Sequence, residues 1–149
     1  MKILLFGSTG QVGWQLRRSL APIGDVLPLE RVSSDVCGDL ADVDGIAATV
    51  GALRPAIVVI AAAYRAVDQA EDEPDGAWAI NARACEVLAR ASASCGAWLV
   101  HYSSDYVYDG SGTRAWRESD SPAPLGAYGR SKLAGDEAVG RQNPRHKVL

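Results

Sequence analysis

A glycine-rich segment between an apolar strand and an amphipathic helix is the feature that most restricts how this sequence can fold. Residues 2–6 (KILLF) form a short apolar run, and the apolar residues of 12–20 recur at helical spacing. Where the two segments meet stand Gly7, Gly10 and Gly13, in a GxxGxxG pattern rather than the older GxGxxG pattern. Glycines here let the backbone turn tightly and approach a pyrophosphate at the helix N-terminus. The segment therefore predicts an α/β domain that binds a dinucleotide.

The rest of the chain continues the alternation of strands and helices. Apolar runs predict strands over 26–30, 36–40, 57–63 and 97–103, and periodic segments predict helices over 42–53, over 75–94 and from about Gly126 onward. Pro28 cannot donate to a ladder, so we expect the second strand to be irregular or near a sheet edge. Strands and helices that alternate, joined by right-handed crossovers, predict a Rossmann-like, doubly wound parallel sheet with three αβα layers.

Composition argues against several classes of function. The 149 residues carry a net charge of −3 and their 15 basic residues are scattered, which does not support nucleic-acid binding. No apolar run approaches the ~20 residues that cross a bilayer, and the N-terminus lacks the pattern of a signal peptide. The 3 cysteines and 2 histidines show no metal-ligand spacing. We therefore expect reduced thiols, no metal site, no membrane partner and a cytoplasmic location.

A second cluster of chemistry-bearing residues lies in the last third of the chain. Tyr128 and Lys132 form a YxxxK pattern, which places both on one helix face. Reduction of a ketone needs a proton for the developing alkoxide; a phenol ordinarily dissociates only at a pH of about 10, and a neighbouring ammonium favours its phenolate. Ser104 and Asp105 follow the strand over 97–103, where ligands bind in open α/β sheets. The Ser104 hydroxyl can polarise a carbonyl, although both residues can also make plain turn hydrogen bonds.

The residues after the second predicted strand give conflicting indications about the cofactor. Glu30 follows Gly10 by twenty residues, where a carboxylate would bind a ribose 2′-hydroxyl and favour NAD. Arg31 could instead neutralise the 2′-phosphate of NADP. Asp39 and Leu40 would lie near the adenine. These residues do not decide between NADH and NADPH as the cofactor.

Together these residues resemble the extended short-chain dehydrogenase/reductases and, within that family, the reductases of dTDP-4-dehydrorhamnose. The resemblance implies NAD(P)H-dependent reduction of the C4 ketone of dTDP-4-dehydro-L-rhamnose to dTDP-L-rhamnose, which feeds polysaccharide biosynthesis. It covers essentially all 149 residues and is most specific over 7–13, 61–64, 66–71, Asn81, 101–110 and 128–135.

The resemblance also implies a role for each candidate residue. Tyr128 would donate the proton, Lys132 would be its partner and a ribose ligand, and Ser104 would polarise the C4 carbonyl, with Asp105 and Tyr106 near the sugar. The positions that would line the cofactor are Gly7, Gly10, Gln11, Val12, Gly13, Glu30, Arg31, Asp39, Leu40, Ala61, Ala62, Ala63, Tyr64, Arg65, Tyr102, Tyr128 and Lys132.

Members of that family continue for roughly as many residues again. We therefore expect residues 1–149 to form the cofactor domain, with a C-terminal substrate domain absent and a sixth strand beginning at 147–149. Such a chain would bind a dinucleotide but turn over a dTDP-sugar poorly, and its uncovered surface could favour a homodimer or other self-association.

Two other functions remain open at this point. One is a non-catalytic binding partner, like the regulatory subunit of methionine adenosyltransferase. The other is a related nucleotide-sugar epimerase or dehydratase. The presence of Ser104, Tyr128 and Lys132 together favours an enzyme over the first of these.

Overall fold

Five strands of the computed structural model, which describes residues 1–31 and 36–149, form one parallel sheet. They are β1 (Lys2–Phe6), β2 (Asp25–Leu29), β3 (Ile57–Ile60), β4 (Trp98–His101) and β5 (His146–Val148). Their spatial order is β2-β1-β3-β4-β5, so the chain winds outward from β1 in both directions. This doubly wound order confirms the predicted Rossmann-like fold.

Alternate residues of β1 enter two separate cores. Leu4 and Phe6 pack on one face of the sheet, Ile3 and Leu5 pack on the other, and all four are fully buried. A strand covered on both faces must be apolar at successive positions, which explains the unbroken run at the start of the sequence. The first face is covered by α2 (Val43–Leu53), α5 (Ala84–Ser94) and α6 (Ala127–Gln142), and the second by α1 (Gln11–Leu20).

The helix predicted over 75–94 is made of three consecutive pieces. These are α4 (Pro74–Trp78), a π-helical turn (Ala79–Arg83) and α5. The π turn adds a residue to the helical repeat and carries Asn81, which is buried. Two short elements that periodicity did not predict are α3 (Gln69–Asp72) and a 3-10 turn (Asp105–Val107). None of the helices in the described ranges is long and apolar enough to cross a membrane.

The predicted strand over 36–40 is wrong, because that segment pairs with no strand. The hydroxyl of Thr49 in α2 accepts a hydrogen bond from the Cys37 N–H (2.9 Å) and donates one to the Cys37 carbonyl (3.0 Å). One side chain therefore satisfies both backbone groups of Cys37, which a ladder would have used. Leu40 still reaches the core, where it is 5% exposed.

The positions at which the strands end determine which residues lie outside the ladder and can face a ligand. Pro28 lies in β2, an edge strand of the described sheet, as expected for a residue without an N–H. The strand predicted over 57–63 stops at Ile60 because its neighbour β1 stops at Phe6. Gly7 then turns the chain away with φ 80°. Residues 61–63 consequently leave the ladder and are available to face a ligand.

Candidate active site

A cavity of about 810 Å³ opens where β1, β2 and β3 end. Small-molecule sites commonly measure roughly 300–1,000 Å³, and in doubly wound sheets they lie at the carboxyl ends of the strands. Thirteen of the residues predicted to line a cofactor line this cavity: Gly7, Gly10, Gln11, Val12, Glu30, Arg31, Asp39, Leu40, Ala61, Ala62, Ala63, Tyr64 and Arg65.

The N-terminus of α1 faces this cavity and is built to attract an anion. Gly10 is the N-cap and supplies no side-chain cap, and the first turn contains no acidic residue. The first N–H groups of the helix therefore lack an intrahelical partner and carry the positive end of the helix dipole. A Cβ on Gly7 would lie 2.6 Å from the Ala62 Cβ, so a glycine is needed for the loop to pass so close to the end of β3. A pyrophosphate fits this arrangement.

Gly13 has a different position from the one predicted for it. It does not line the cavity but is buried in α1, where a Cβ would lie 2.1 Å from the carbonyl oxygen of Gly7. Gly13 thus allows the helix to pack directly on the glycine loop. Its contribution to a ligand site is indirect, through the loop that it supports.

Glu30 and Arg31 both face the far end of the cavity. Arg31 Nε lies 3.5 Å from Asp39 Oδ2, and the Arg31 side chain is 83% exposed. An exposed ion pair of this kind contributes little to stability, so the guanidinium can be redirected to a ligand phosphate at small cost. The carboxylate and the guanidinium that gave conflicting predictions therefore stand side by side in the structure.

Lys132 is buried beneath the end of β4. It is 2% exposed, and its Nζ donates a hydrogen bond to the Tyr102 carbonyl oxygen at 2.5 Å. The same Nζ lies 3.4 Å from Nε2 of His101, the last residue of β4. Burial lowers the pKa of the Lys132 ammonium, because a charge is costly to desolvate. Tyr102 reaches the predicted site through its backbone carbonyl, which contacts Lys132 of α6.

The segment that follows β4 runs along the face of α6 that carries Tyr128 and Lys132. The Tyr106 ring packs edge-on against the Tyr128 ring with centroids 5.4 Å apart. A Cβ on Gly129 would lie 2.3 Å from the Tyr106 carbonyl oxygen, so glycine permits this approach. Ser104 lies midway between Tyr102 and Tyr106 in the sequence, and its Oγ accepts a hydrogen bond from the Tyr106 N–H at 3.2 Å, which places it at the start of the 3-10 turn in this segment.

A second cavity of about 450 Å³ adjoins this segment. Asp105, Tyr106 and Tyr128 line it, whereas Ser104 is not among its lining residues. Its outer wall includes the stacked rings of Tyr108 and Trp116, with centroids 4.7 Å apart. The structure thus brings two of the three predicted substrate residues together with the predicted proton donor.

Two side chains without a predicted role hold α6 in place. Glu71 Oε1 accepts a hydrogen bond from the Ala127 N–H at 2.6 Å, so an acid from α3 caps a helix whose own N-cap is a glycine. Asn81 accepts from the Tyr64 N–H (2.8 Å) and donates to the Tyr64 carbonyl (3.2 Å) and to Ser131 Oγ (3.0 Å). Asn81 therefore joins the wall of the first cavity to α6.

We expect Asn81→Ala to lower the free energy of unfolding by about 3 kcal/mol, because it leaves the buried polar groups of Tyr64 and Ser131 without their partner. Denaturant unfolding followed by circular dichroism measures this loss. Gln69→Ala, at an exposed position, is the control and should change stability by less than about 0.5 kcal/mol. Equal stabilities for the two variants would contradict the assignment.

Sequence reasoning also missed a buried polar cluster behind Lys132. His101 is 1% exposed, and its Nε2 lies 3.2 Å from Oδ1 of Asp136 in α6. Burial lowers the pKa of His101, so the imidazole is neutral at neutral pH. The apolar pattern of β4 does not single out His101. Asp136 could have predicted the cluster, because it follows Lys132 at the i+4 position on the same helix face.

Comparison with known proteins identifies the whole chain with one family. The family model described as the RmlD substrate binding domain matches residues 1–149. The dTDP-4-dehydrorhamnose reductase of Salmonella typhimurium is 50% identical over 149 residues, which is 100% of this chain and 50% of that protein. The Escherichia coli K12 enzyme of the same name is 49% identical over the same share of each chain. The chain spans about half the length of the curated relatives it matches.

Solved structures agree with these sequence matches. A dTDP-4-dehydrorhamnose reductase from Clostridium acetobutylicum superposes with a TM-score of 0.92 at 35% identity, covering 99% of this chain and 52% of that one. A dTDP-4-dehydrorhamnose reductase from Bacillus anthracis, solved in complex with NADP, superposes with a TM-score of 0.90 at 35% identity, over 99% of this chain and 51% of that one.

Proposed function

The chain belongs to the family of the RmlD substrate binding domain, and from that premise we propose that it binds NADPH or NADH and supplies the acid–base residues that reduce the C4 ketone of dTDP-4-dehydro-L-rhamnose. One observation carries the proposal. An uncapped helix N-terminus opens on a cavity of about 810 Å³, and the helix that bears Tyr128 and Lys132 is tied to the wall of the same cavity through Asn81.

Each group of residues has a distinct task in this reaction. The N–H groups at the start of α1 hold the pyrophosphate, and Lys132 binds the nicotinamide ribose. The bound dinucleotide supplies the hydride that reaches C4. Tyr128 donates a proton to the ketone oxygen as it gains charge, and Ser104 donates a hydrogen bond to that oxygen. Both hydroxyls act on one atom, which is consistent with the way the segment after β4 runs along α6.

The proposal is tested in two steps. Titration with NADPH should quench the tryptophan fluorescence of the chain, because the exposed Trp14 lies in α1 beside the glycine loop. The natural protein that carries this sequence should then oxidise NADPH when dTDP-4-dehydro-L-rhamnose is added and not when dTDP alone is added. Binding of neither dinucleotide would overturn the proposal, as would NADPH oxidation that does not depend on the sugar.

Arg31 should set the preference between the two dinucleotides. We expect Arg31→Ala to raise the dissociation constant for NADPH about fivefold and that for NADH less than about twofold, because the guanidinium can pair with the 2′-phosphate, which NADPH carries and NADH lacks. Parallel titrations with both dinucleotides measure the ratio. Arg90→Ala, at an exposed position of α5 that does not line the cavity, is the matched control. An unchanged ratio in Arg31→Ala would assign the preference to other residues.

A further inference from the structure

The catalytic face of α6 extends one turn deeper than the YxxxK pattern. Tyr128, Lys132 and Asp136 follow one another at i, i+4 and i+8, so a phenol, an ammonium and a carboxylate share one stripe of the helix. The Asp136 side chain is 15% exposed. Its Oδ2 accepts a hydrogen bond from Ser103 Oγ, and its Oδ1 lies 3.2 Å from His101 Nε2.

His101 Nε2 lies between one group that can only donate hydrogen bonds and one group that can only accept them. Lys132 Nζ, at 3.4 Å, offers only protons, and Asp136 Oδ1, at 3.2 Å, offers only lone pairs. Because the imidazole is neutral, Nε2 can satisfy only one of them. Asp136 Oδ1 is buried and meets no donor in good hydrogen-bond geometry among the described residues, whereas Lys132 already donates to the Tyr102 carbonyl. We therefore assign the His101 proton to Nε2, directed at Asp136.

The remaining contacts agree with this tautomer. With its proton on Nε2, His101 has a lone pair on Nδ1, and Cys85 Sγ lies 3.8 Å from that atom as a weak donor. Lys132 then does not donate a hydrogen bond to the imidazole. Beyond its bond to Tyr102, Lys132 therefore keeps N–H groups that the imidazole does not use.

The titratable groups that face Lys132 come from three elements. They are Cys85 in α5, His101 in β4, and Tyr128 and Asp136 in α6. Burial raises the pKa of the Cys85 thiol to about 12, so this thiol is uncharged at neutral pH. His101 is neutral as well, and Tyr128 enters the proposed reaction as a phenol. Asp136 is therefore the group in this described set that offsets the cost of burying the ammonium.

We propose that Asp136 is a positioning residue, which acts directly by its charge and through His101 by its hydrogen bond, and which keeps Lys132 protonated and oriented toward the dinucleotide. The inference rests on the proposed function for the identity of the ligand. The protonation of Lys132 itself can be measured without any ligand. Loss of the Asp136 charge leaves the ammonium buried without an anion, so Lys132 should lose its proton at a lower pH.

The chain contains three lysines, Lys2, Lys132 and Lys147, which makes a direct measurement practical. Lysine labelled with ¹³C at Cε gives three signals by NMR, and Lys132→Met identifies the signal of Lys132. In Asp136→Asn, the Lys132 signal should titrate at lower pH than in the native chain, and the other two should not move. A Lys132 titration that is identical in both chains would overturn the proposal.

Glu137→Gln is the matched control, because it removes the same charge one residue further along α6. Glu137 is exposed and pairs with Arg141 at 3.5 Å, so its loss should leave the Lys132 titration unchanged. Asp136→Glu keeps the charge and should restore native behaviour. If Asp136→Asn does not fold, Asp136→Ser removes the same charge with a smaller side chain.

A binding measurement then connects this residue to the proposed function. At a pH where the NMR titration finds Lys132 deprotonated in Asp136→Asn but protonated in the native chain, the dissociation constant for NADPH should rise about fivefold in Asp136→Asn and should be unchanged in Glu137→Gln. At a lower pH, where the NMR titration finds Lys132 protonated in both chains, the difference should disappear. If the native chain binds no NADPH, the proposed function fails, and the NMR titration still decides the role of Asp136. A pH-independent loss of binding would indicate a purely structural role and would contradict the proposal.

Discussion

Gly13→Ala should lower the free energy of unfolding by about 3 kcal/mol and raise the dissociation constant for NADPH at least about tenfold. The added Cβ would lie 2.1 Å from the Gly7 carbonyl oxygen and 2.9 Å from the Ser8 Cα. Both are backbone atoms, which cannot rotate away as a flexible side chain would. To relieve the contact, α1 must move off the glycine loop, and the N–H groups of its first turn then move with it.

The measurement pairs denaturant unfolding with an NADPH titration in the same variant. Gly51→Ala is the control, because Gly51 lies in α2 and a Cβ there meets nothing within 4 Å. That variant should be more stable by up to about 1 kcal/mol, since alanine favours a helix more than glycine does, and it should bind NADPH normally. If Gly13→Ala unfolds at the native midpoint and keeps its affinity, the close packing of α1 on the loop is not what forms the site.

Most of the fold could be predicted because its determinants are local. Residues 3–6 are apolar in succession because the strand is covered on both faces, and Gly7 after them is required by a backbone turn with positive φ. The strand predicted over 36–40 failed for the opposite reason. The backbone N–H and carbonyl of Cys37 are satisfied by Thr49, a partner twelve residues away whose position depends on where α2 packs. No pattern within the segment itself could have indicated that contact.

The candidate site shows the same division between local and distant determinants. Tyr128 and Lys132 share a helix face because of their spacing, so the sequence alone predicted that they would be neighbours. The cap on their helix comes from Glu71, and the contact to the first cavity comes from Asn81 in a π-helical turn. Helical periodicity does not reveal a π turn, because one extra residue shifts every position that follows it.

The largest effect on turnover is expected from Tyr128→Phe, in the natural protein that carries this sequence. Phenylalanine keeps the ring that packs edge-on against Tyr106, so the fold and the second cavity should be preserved. In the proposed reaction, the variant loses the proton for the alkoxide that forms at C4. A positioned general acid contributes about 10²–10⁴-fold, and we expect kcat to fall by that factor.

Measuring both kcat and the dissociation constant for NADPH distinguishes a proton-donating role of Tyr128 from a structural one. Tyr128→Phe should leave the dissociation constant for NADPH within about twofold of native, because the proposed role of the phenol is toward the sugar ketone. Lys132→Met should impair both binding and kcat, because the proposed role of the ammonium is to bind the dinucleotide and to support the phenol. If Tyr128→Phe retains native kcat, the proton comes from another group, and Ser104 becomes the hydroxyl to test next. If Tyr128→Phe loses NADPH binding instead, the Tyr128 hydroxyl is needed for cofactor binding. The assignment of cofactor binding to the first cavity and of proton donation alone to Tyr128 would then be wrong.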